Sequence, residues 1–207
     1  MMIHAYHVIF GAYGFWMPND PRGSWSDFVH KWELSRFGPA SKTIERRDIS
    51  DDAEAQAQLE CERQSLNYPA VTFTGRQARA IGTGFANGVK KHAYSIHACS
   101  ILPEHVHLVI ARHRYKVEQI VNLLKGEATR QLRKESLHPL AEHAAAGKRP
   151  PTCWAESCWK VFLDDDEAIE NAIRYVENNP EKEGKPRQRW LCTTAFTGVE
   201  TNIVNYP

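Results

Sequence analysis

No stretch of this sequence stays apolar for the roughly 20 residues that a membrane-spanning helix needs, which excludes an integral helical membrane protein. The opening Met1-Met2-Ile3-His4-Ala5-Tyr6 lacks the basic start and long apolar core of a secretory signal, so the expected location is cytoplasmic. Cysteine is sparse. Cys61, Cys99, Cys153, Cys158 and Cys192 are odd in number and contain no Cys-x-x-Cys pair, which argues against a disulfide framework or a structural zinc site and for reduced thiols. There is no excess of one charge: 26 basic against 25 acidic residues leave +1, so overall charge does not announce a polyanionic partner. Any basic surface has to be local, as around Arg130–Lys134 or Lys185–Arg189. No internal repeat is visible.

The 42% apolar and 25% charged content is that of a globular chain, and 207 residues fit one domain with an insertion or an extension. Residues 3–10, rich in aromatic and branched side chains, read as a first strand. A segment of about 11–73 reads as an insertion. It carries Trp16, Trp25 and Trp32, which suit either core-covering plugs or base stacking, and an Ala/Glu/Gln-rich helix over 50–66 with Ser50 or Asp51 as N-cap. Thr74 caps a helix over 75–92, with Ala78, Ile81, Phe85, Val89 and His92 as its loose apolar stripe. Strands over 94–102 and 105–112, joined by Pro103-Glu104, form a hairpin. Val117, Ile120, Val121, Leu124, Ala128 and Leu132 give the helix of 116–135 a continuous apolar face. Lys125, Arg130, Arg133 and Lys134 lie off that face and can meet phosphates. A short strand at 159–163 precedes a last helix, which opens on Asp164–Glu167 and is expected to stop at Pro180. The order implies an α+β domain over 1–184, with helices on one face of an antiparallel sheet, and a tail over 185–207.

Chemistry concentrates in two places. In Pro103-Glu104-His105-Val106-His107-Leu108-Val109-Ile110, strand alternation sends His105 and His107 to one side and Val106, Leu108 and Ile110 to the other. Two imidazoles side by side on a strand form half of a divalent-cation site, or else a polar face that happens to carry two histidines. On the last helix Tyr175 and Asn179 are an i, i+4 pair on one flank. Locally Tyr175 also reads as a boundary aromatic, and Asn179, just before Pro180, reads first as a helix C-terminal residue.

Taken together and in order, the His-Val-His strand after Pro-Glu, the helix with Leu124-Lys125-Gly126, and Tyr175-Val176-Glu177-Asn178-Asn179-Pro180 resemble the single-tyrosine HUH transposases. The closest resemblance is to the insertion-sequence-200-like, REP-associated tyrosine transposases, and it covers about 3–10 and 75–184. It implies a ferredoxin-like or palm-like fold. It implies His105, His107 and Asn179 as ligands of Mg²⁺ or Mn²⁺, and Tyr175 as the nucleophile. It also implies single-stranded or hairpin DNA as partner, cut through a 5′-phosphotyrosine intermediate and open to rejoining, as in transposition and DNA recombination. Lys125, Arg130, Arg133 and Lys134 become candidate DNA contacts, and a homodimer is possible. The insertion is longer and the charge more neutral than this family leads one to expect. Competing readings are a relaxase or rolling-circle initiator, which commonly places a third histidine or an acidic residue at the metal, a catalytically silent hairpin-binding protein, and an ordinary RNA-binding α+β domain.

Overall fold

The computed structural model describes residues 2–15 and 53–199. The expected N-cap at Ser50 or Asp51 and the tryptophans Trp16, Trp25 and Trp32 lie outside the described residues. The elements are β1 (Ala5–Gly11), α1 (Ala53–Gln64), α2 (Gly75–His92), β2 (Ile96–Ile101), β3 (His105–Ala111), α3 (Val117–Lys134), β4 (Trp159–Leu163) and α4 (Asp166–Lys182). A single 3₁₀ turn at Ala141–His143 interrupts the loop before β4. Among the described residues, no helix is long and apolar enough to cross a membrane.

Local signals account for several boundaries. Thr74 caps α2 reciprocally: its side-chain oxygen accepts the Gln77 amide N–H, and the Gln77 side chain accepts the Thr74 amide N–H. Asp165 caps α4 by accepting the Ala168 N–H. The end of α4 departs from expectation, because the helix runs through Pro180 to Lys182. A proline in the last turn removes only one amide donor from the ladder. The true stop is Gly184 in the left-handed region (φ 67°). There the Lys185 N–H reaches the Pro180 carbonyl and the Gly184 N–H reaches the Glu181 carbonyl, a Schellman closure.

The four strands form an antiparallel sheet in the order β2-β3-β1-β4. Strands β1 and β2 are thus parallel to one another with β3 between them, and β3 and β4 are parallel with β1 between them. This is the split-βαβ arrangement of the ferredoxin-like fold. Right-handed crossovers put α2 and α3 on the same side. Val8, Phe10, Ile96, Val106, Leu108 and Ile110 meet Ile81, Phe85, Ile120, Leu124 and Leu132 there in the main core. Helix α2 approaches α3 closely at Gly84, where an added Cβ would sit 2.6 Å from the Ala128 Cα.

The α+β class and the antiparallel sheet are as expected, but the helices are not confined to one face. Helix α4 follows β4 without being a crossover to another strand, so handedness does not hold it with α2 and α3. It lies across the opposite face, burying Ile169, Ala172 and Val176 on Ala5, Ala98, Val109 and Leu163. The ends of the segment read as an insertion join the fold as well. Ala12, Tyr13, Val71 and Phe73 are buried in the main core. Beyond α4, residues 188–194 run along the outer edge of β2. Gln188 accepts the Ile101 N–H and donates to the Ile101 carbonyl, and the Thr194 N–H reaches the Ile96 carbonyl.

Candidate active site

The α4 face of the sheet collects the polar side chains. His105 and His107 leave β3 on this face, as alternation requires, with ring centroids 4.9 Å apart. Phe15 stacks on His105 at 4.9 Å, its plane within 10° of the imidazole. Strand β1 contributes His7. The register pairs Ile9 with His107 and His7 with Val109, so His7 is a diagonal neighbour of His107, within reach of a ring. The two imidazoles stack at 5.4 Å, and His7 Nε2 lies 3.1 Å from His107 Nδ1. Ser100 on β2 stands directly across from His107.

Helix α4 closes the site from above. The Tyr175 ring lies 5.5 Å from that of His7 and 5.8 Å from that of His107, edge-on to both. Its 44% exposure leaves it open to a large substrate. The Lys182 ammonium sits 4.5 Å from the Tyr175 ring centroid. Asn179, one turn beyond Tyr175, is only 6% exposed.

Burial sets the electrostatics. His7 is pushed down to about 4 by desolvation. His107 lies well below the usual histidine range, first through burial and then through the neighbouring His105 and His7. Both rings are therefore neutral at physiological pH, the form in which imidazole coordinates a cation.

The residues present fit a divalent cation. Ser100 Oγ, which has lone pairs to offer a cation, is buried with no hydrogen-bond partner among the described residues. Asn179 Nδ2 is likewise without one, but as an N–H donor it suits an anionic oxygen such as a phosphate's, and a cation would fall to the Asn179 carbonyl oxygen. Polar groups left so are costly unless something else meets them. The imidazoles of His105 and His107, an amide oxygen and a hydroxyl form a mixed nitrogen and oxygen donor set, which suits Mn²⁺ better than Mg²⁺. Among the described residues, no group of three or more His, Cys, Asp or Glu is placed to hold a metal ion.

Residues 65–179 match the family described as IS200-like transposases, more than half of the chain. The chain belongs to this family. The matched span contains His105, His107, Tyr175 and Asn179 but stops short of His7. No curated protein matches the chain significantly. Among solved structures, it is similar to a REP-associated tyrosine transposase bound to a REP hairpin, at 10% identity over 89% of this chain and 70% of that one, with a TM-score of 0.43. It is also similar to a protein designated a candidate transposase from Deinococcus radiodurans R1, at 13% identity over 86% and 92% of the two chains, with a TM-score of 0.39.

The four basic residues read from α3 of this transposase fare differently. Lys125 is not at the surface. It is 7% exposed, and its ammonium donates to the Ala155 and Ser157 carbonyls at 2.9 and 2.7 Å and sits over the Phe10 ring. A long side chain leaving just beside the apolar stripe can be pulled inward when carbonyls await it, which periodicity alone does not reveal. Arg130 pairs with Glu127, which also takes Lys91. Arg133 and Lys134 are exposed, on the helix layer opposite the histidines. His7 and Ser100 were absent from the sequence reading. His7 was detectable as the polar residue alternating with Val8 and Phe10, but its meeting with His107 depends on the β1–β3 register.

Proposed function

We propose that this chain is a metal-dependent single-stranded DNA endonuclease and strand transferase that cuts beside hairpins, with Tyr175 as nucleophile and His105, His107 and Asn179 as the cation-holding residues. The observation that carries the reading is the convergence of rings from positions 7, 107 and 175, three distant parts of the chain. Family membership supports DNA as the substrate class.

The Tyr175 oxygen attacks a phosphorus in line and the bond from phosphorus to the 3′ oxygen breaks. The phenol proton passes to solvent, and the departing 3′ oxygen takes one up. The 5′ phosphate is left on Tyr175, so the bond energy is conserved. A second strand's 3′ hydroxyl can then attack the phosphotyrosine, restoring the phenol and joining DNA without ATP. When bound, a Mg²⁺ or Mn²⁺ ion neutralises charge building on the non-bridging oxygens and eases loss of the phenol proton. The chain's own residues do the rest. The sheet fixes the imidazoles, α4 holds Tyr175 over them, and Lys182 brings positive charge beside the ring that becomes phosphorylated. Exposed Arg133 and Lys134, together with Arg130, are candidate backbone contacts, which add affinity without reading sequence.

The test uses a 3′-end-labelled pool of single-stranded hairpin oligonucleotides with randomised flanks, incubated with Mn²⁺. The expected result is a denaturation-resistant labelled protein band with the unaltered chain. The band should vanish with Tyr175→Phe or with chelator, while hairpin binding by the Phe variant stays within about twofold. A covalent adduct formed by Tyr175→Phe shows that another residue is the nucleophile. Binding without any adduct from the unaltered chain favours a silent hairpin-binding protein.

A further inference from the structure

We infer that His7 is a positioning residue: it accepts a hydrogen bond from His107 Nδ1–H and so turns the His107 Nε2 lone pair toward the cation. The inference rests on the reading of His107 as a cation ligand and adds a residue that lies outside the family match.

The geometry leaves His107 one usable nitrogen. Its Nδ1 faces His7 Nε2 at 3.1 Å, so the nitrogen left for any other partner is Nε2. A neutral imidazole carries one proton, and the ring nitrogen that coordinates must be the one without it. Coordination through Nε2 therefore requires the proton on Nδ1, where it points at His7. His7 must then present Nε2 as an acceptor and carry its own proton on Nδ1. The opposite arrangement, with His7 donating, would place the His107 proton on Nε2 and block the ligand. A histidine that binds metal ordinarily donates its second N–H to a carboxylate or a carbonyl, and that partner fixes tautomer and ring orientation. Here an imidazole fills that place.

His7 is itself held on several sides. It sits on β1, paired on both flanks, with Val109 of β3 and Val161 of β4 as its cross-strand partners. Trp159 meets its ring edge-on at 6.3 Å, and Tyr175 lies against it at 5.5 Å. A ring fixed this way orients its neighbour at little cost in entropy. His7 spends its Nε2 on His107 rather than aiming it at a shared centre.

Two measurements test this. Nitrogen-15 NMR of the metal-free, unaltered chain reads the His107 tautomer directly, and the Nδ1–H form should predominate. A predominant Nε2–H form overturns the inference. Direct Mn²⁺ titration then compares the unaltered chain with three variants. His7→Phe keeps a stacked ring without an acceptor and should weaken Mn²⁺ binding by roughly 10–100-fold. His7→Gln, whose amide oxygen can accept, should recover most of that loss. Equal binding by His7→Phe and the unaltered chain removes the positioning role, and an equal loss in the Phe and Gln variants marks mere packing and removes it too. His107→Ala is the separate control. If it binds Mn²⁺ as the unaltered chain does, the ligand reading of His107 has failed, independently of what the His7 variants do.

Discussion

Replacing Lys125 with Met separates two opposite roles for this side chain, phosphate contact and internal clamp. The Met side chain keeps most of the apolar stem and deletes the ammonium. In the structure that ammonium holds the Ala155 and Ser157 carbonyls, which tie the segment before β4 to α3. Two effects oppose each other. Leaving two buried carbonyls unmet costs about 1–3 kcal/mol each. Against this, burial pushes Lys125 from 10.5 down to about 8, and at about 1.4 kcal/mol per unit the buried charge costs about 3 kcal/mol that the variant escapes. Near pH 7 the terms largely offset, leaving the variant between about 1 kcal/mol more stable and about 3 kcal/mol less stable.

The decisive signature is the pH dependence. Between the folded value near 8 and the unfolded value of 10.5, the unfolded chain retains a proton that the folded chain has lost. Stability of the unaltered chain therefore rises with pH across this window, by about 2–3 kcal/mol from pH 7 to 10 relative to the variant. At roughly 2–4 °C per kcal/mol for a chain of this size, the gap in Tm should widen by about 4–12 °C. Thermal melts of both proteins at pH 7 and 10 measure it, with hairpin binding followed against salt in parallel. A constant gap in Tm, combined with weaker binding and a flatter salt slope in the variant, refutes the buried clamp and returns Lys125 to the DNA surface.

Asn179→Ala should abolish Mn²⁺-dependent adduct formation while changing folding stability by less than about 1 kcal/mol, since its Nδ2 has no partner to lose; a melt and the labelled-oligonucleotide assay together check this. Gly84→Ala drives a Cβ to 2.6 Å from the Ala128 Cα and 2.8 Å from the Glu127 carbonyl oxygen, so α2 and α3 must separate. The expected cost is about 2–3 kcal/mol, seen as a fall in Tm of roughly 4–12 °C, and an unchanged Tm would mean the helices do not approach at this point.

What the sequence determined by itself follows from periods within single elements. A repeat of two put His105 and His107 on one side of their strand, and a separation of four put Tyr175 and Asn179 on one flank of their helix. The Thr74 cap and the apolar stripe of α3 were legible for the same reason, because neighbours along the chain decide them. Which family the motifs resemble was legible from their order. Tertiary structure decided the rest. The register of β1 against β3 brings His7 to His107, and the register of β2 against β3 sets Ser100 across from it. The packing of α4 on the second face of the sheet carries Tyr175 over the histidines, where helices confined to one face would have left it remote. Lys125 turned inward because the segment at 155–157 offered carbonyls to it, and α4 ran past Pro180 to Lys182 because the hydrogen bonds that close it form around Gly184. A local pattern fixes the side from which a residue leaves its own element. What that residue then meets is set by register and by contacts far apart in sequence, which periodicity does not encode.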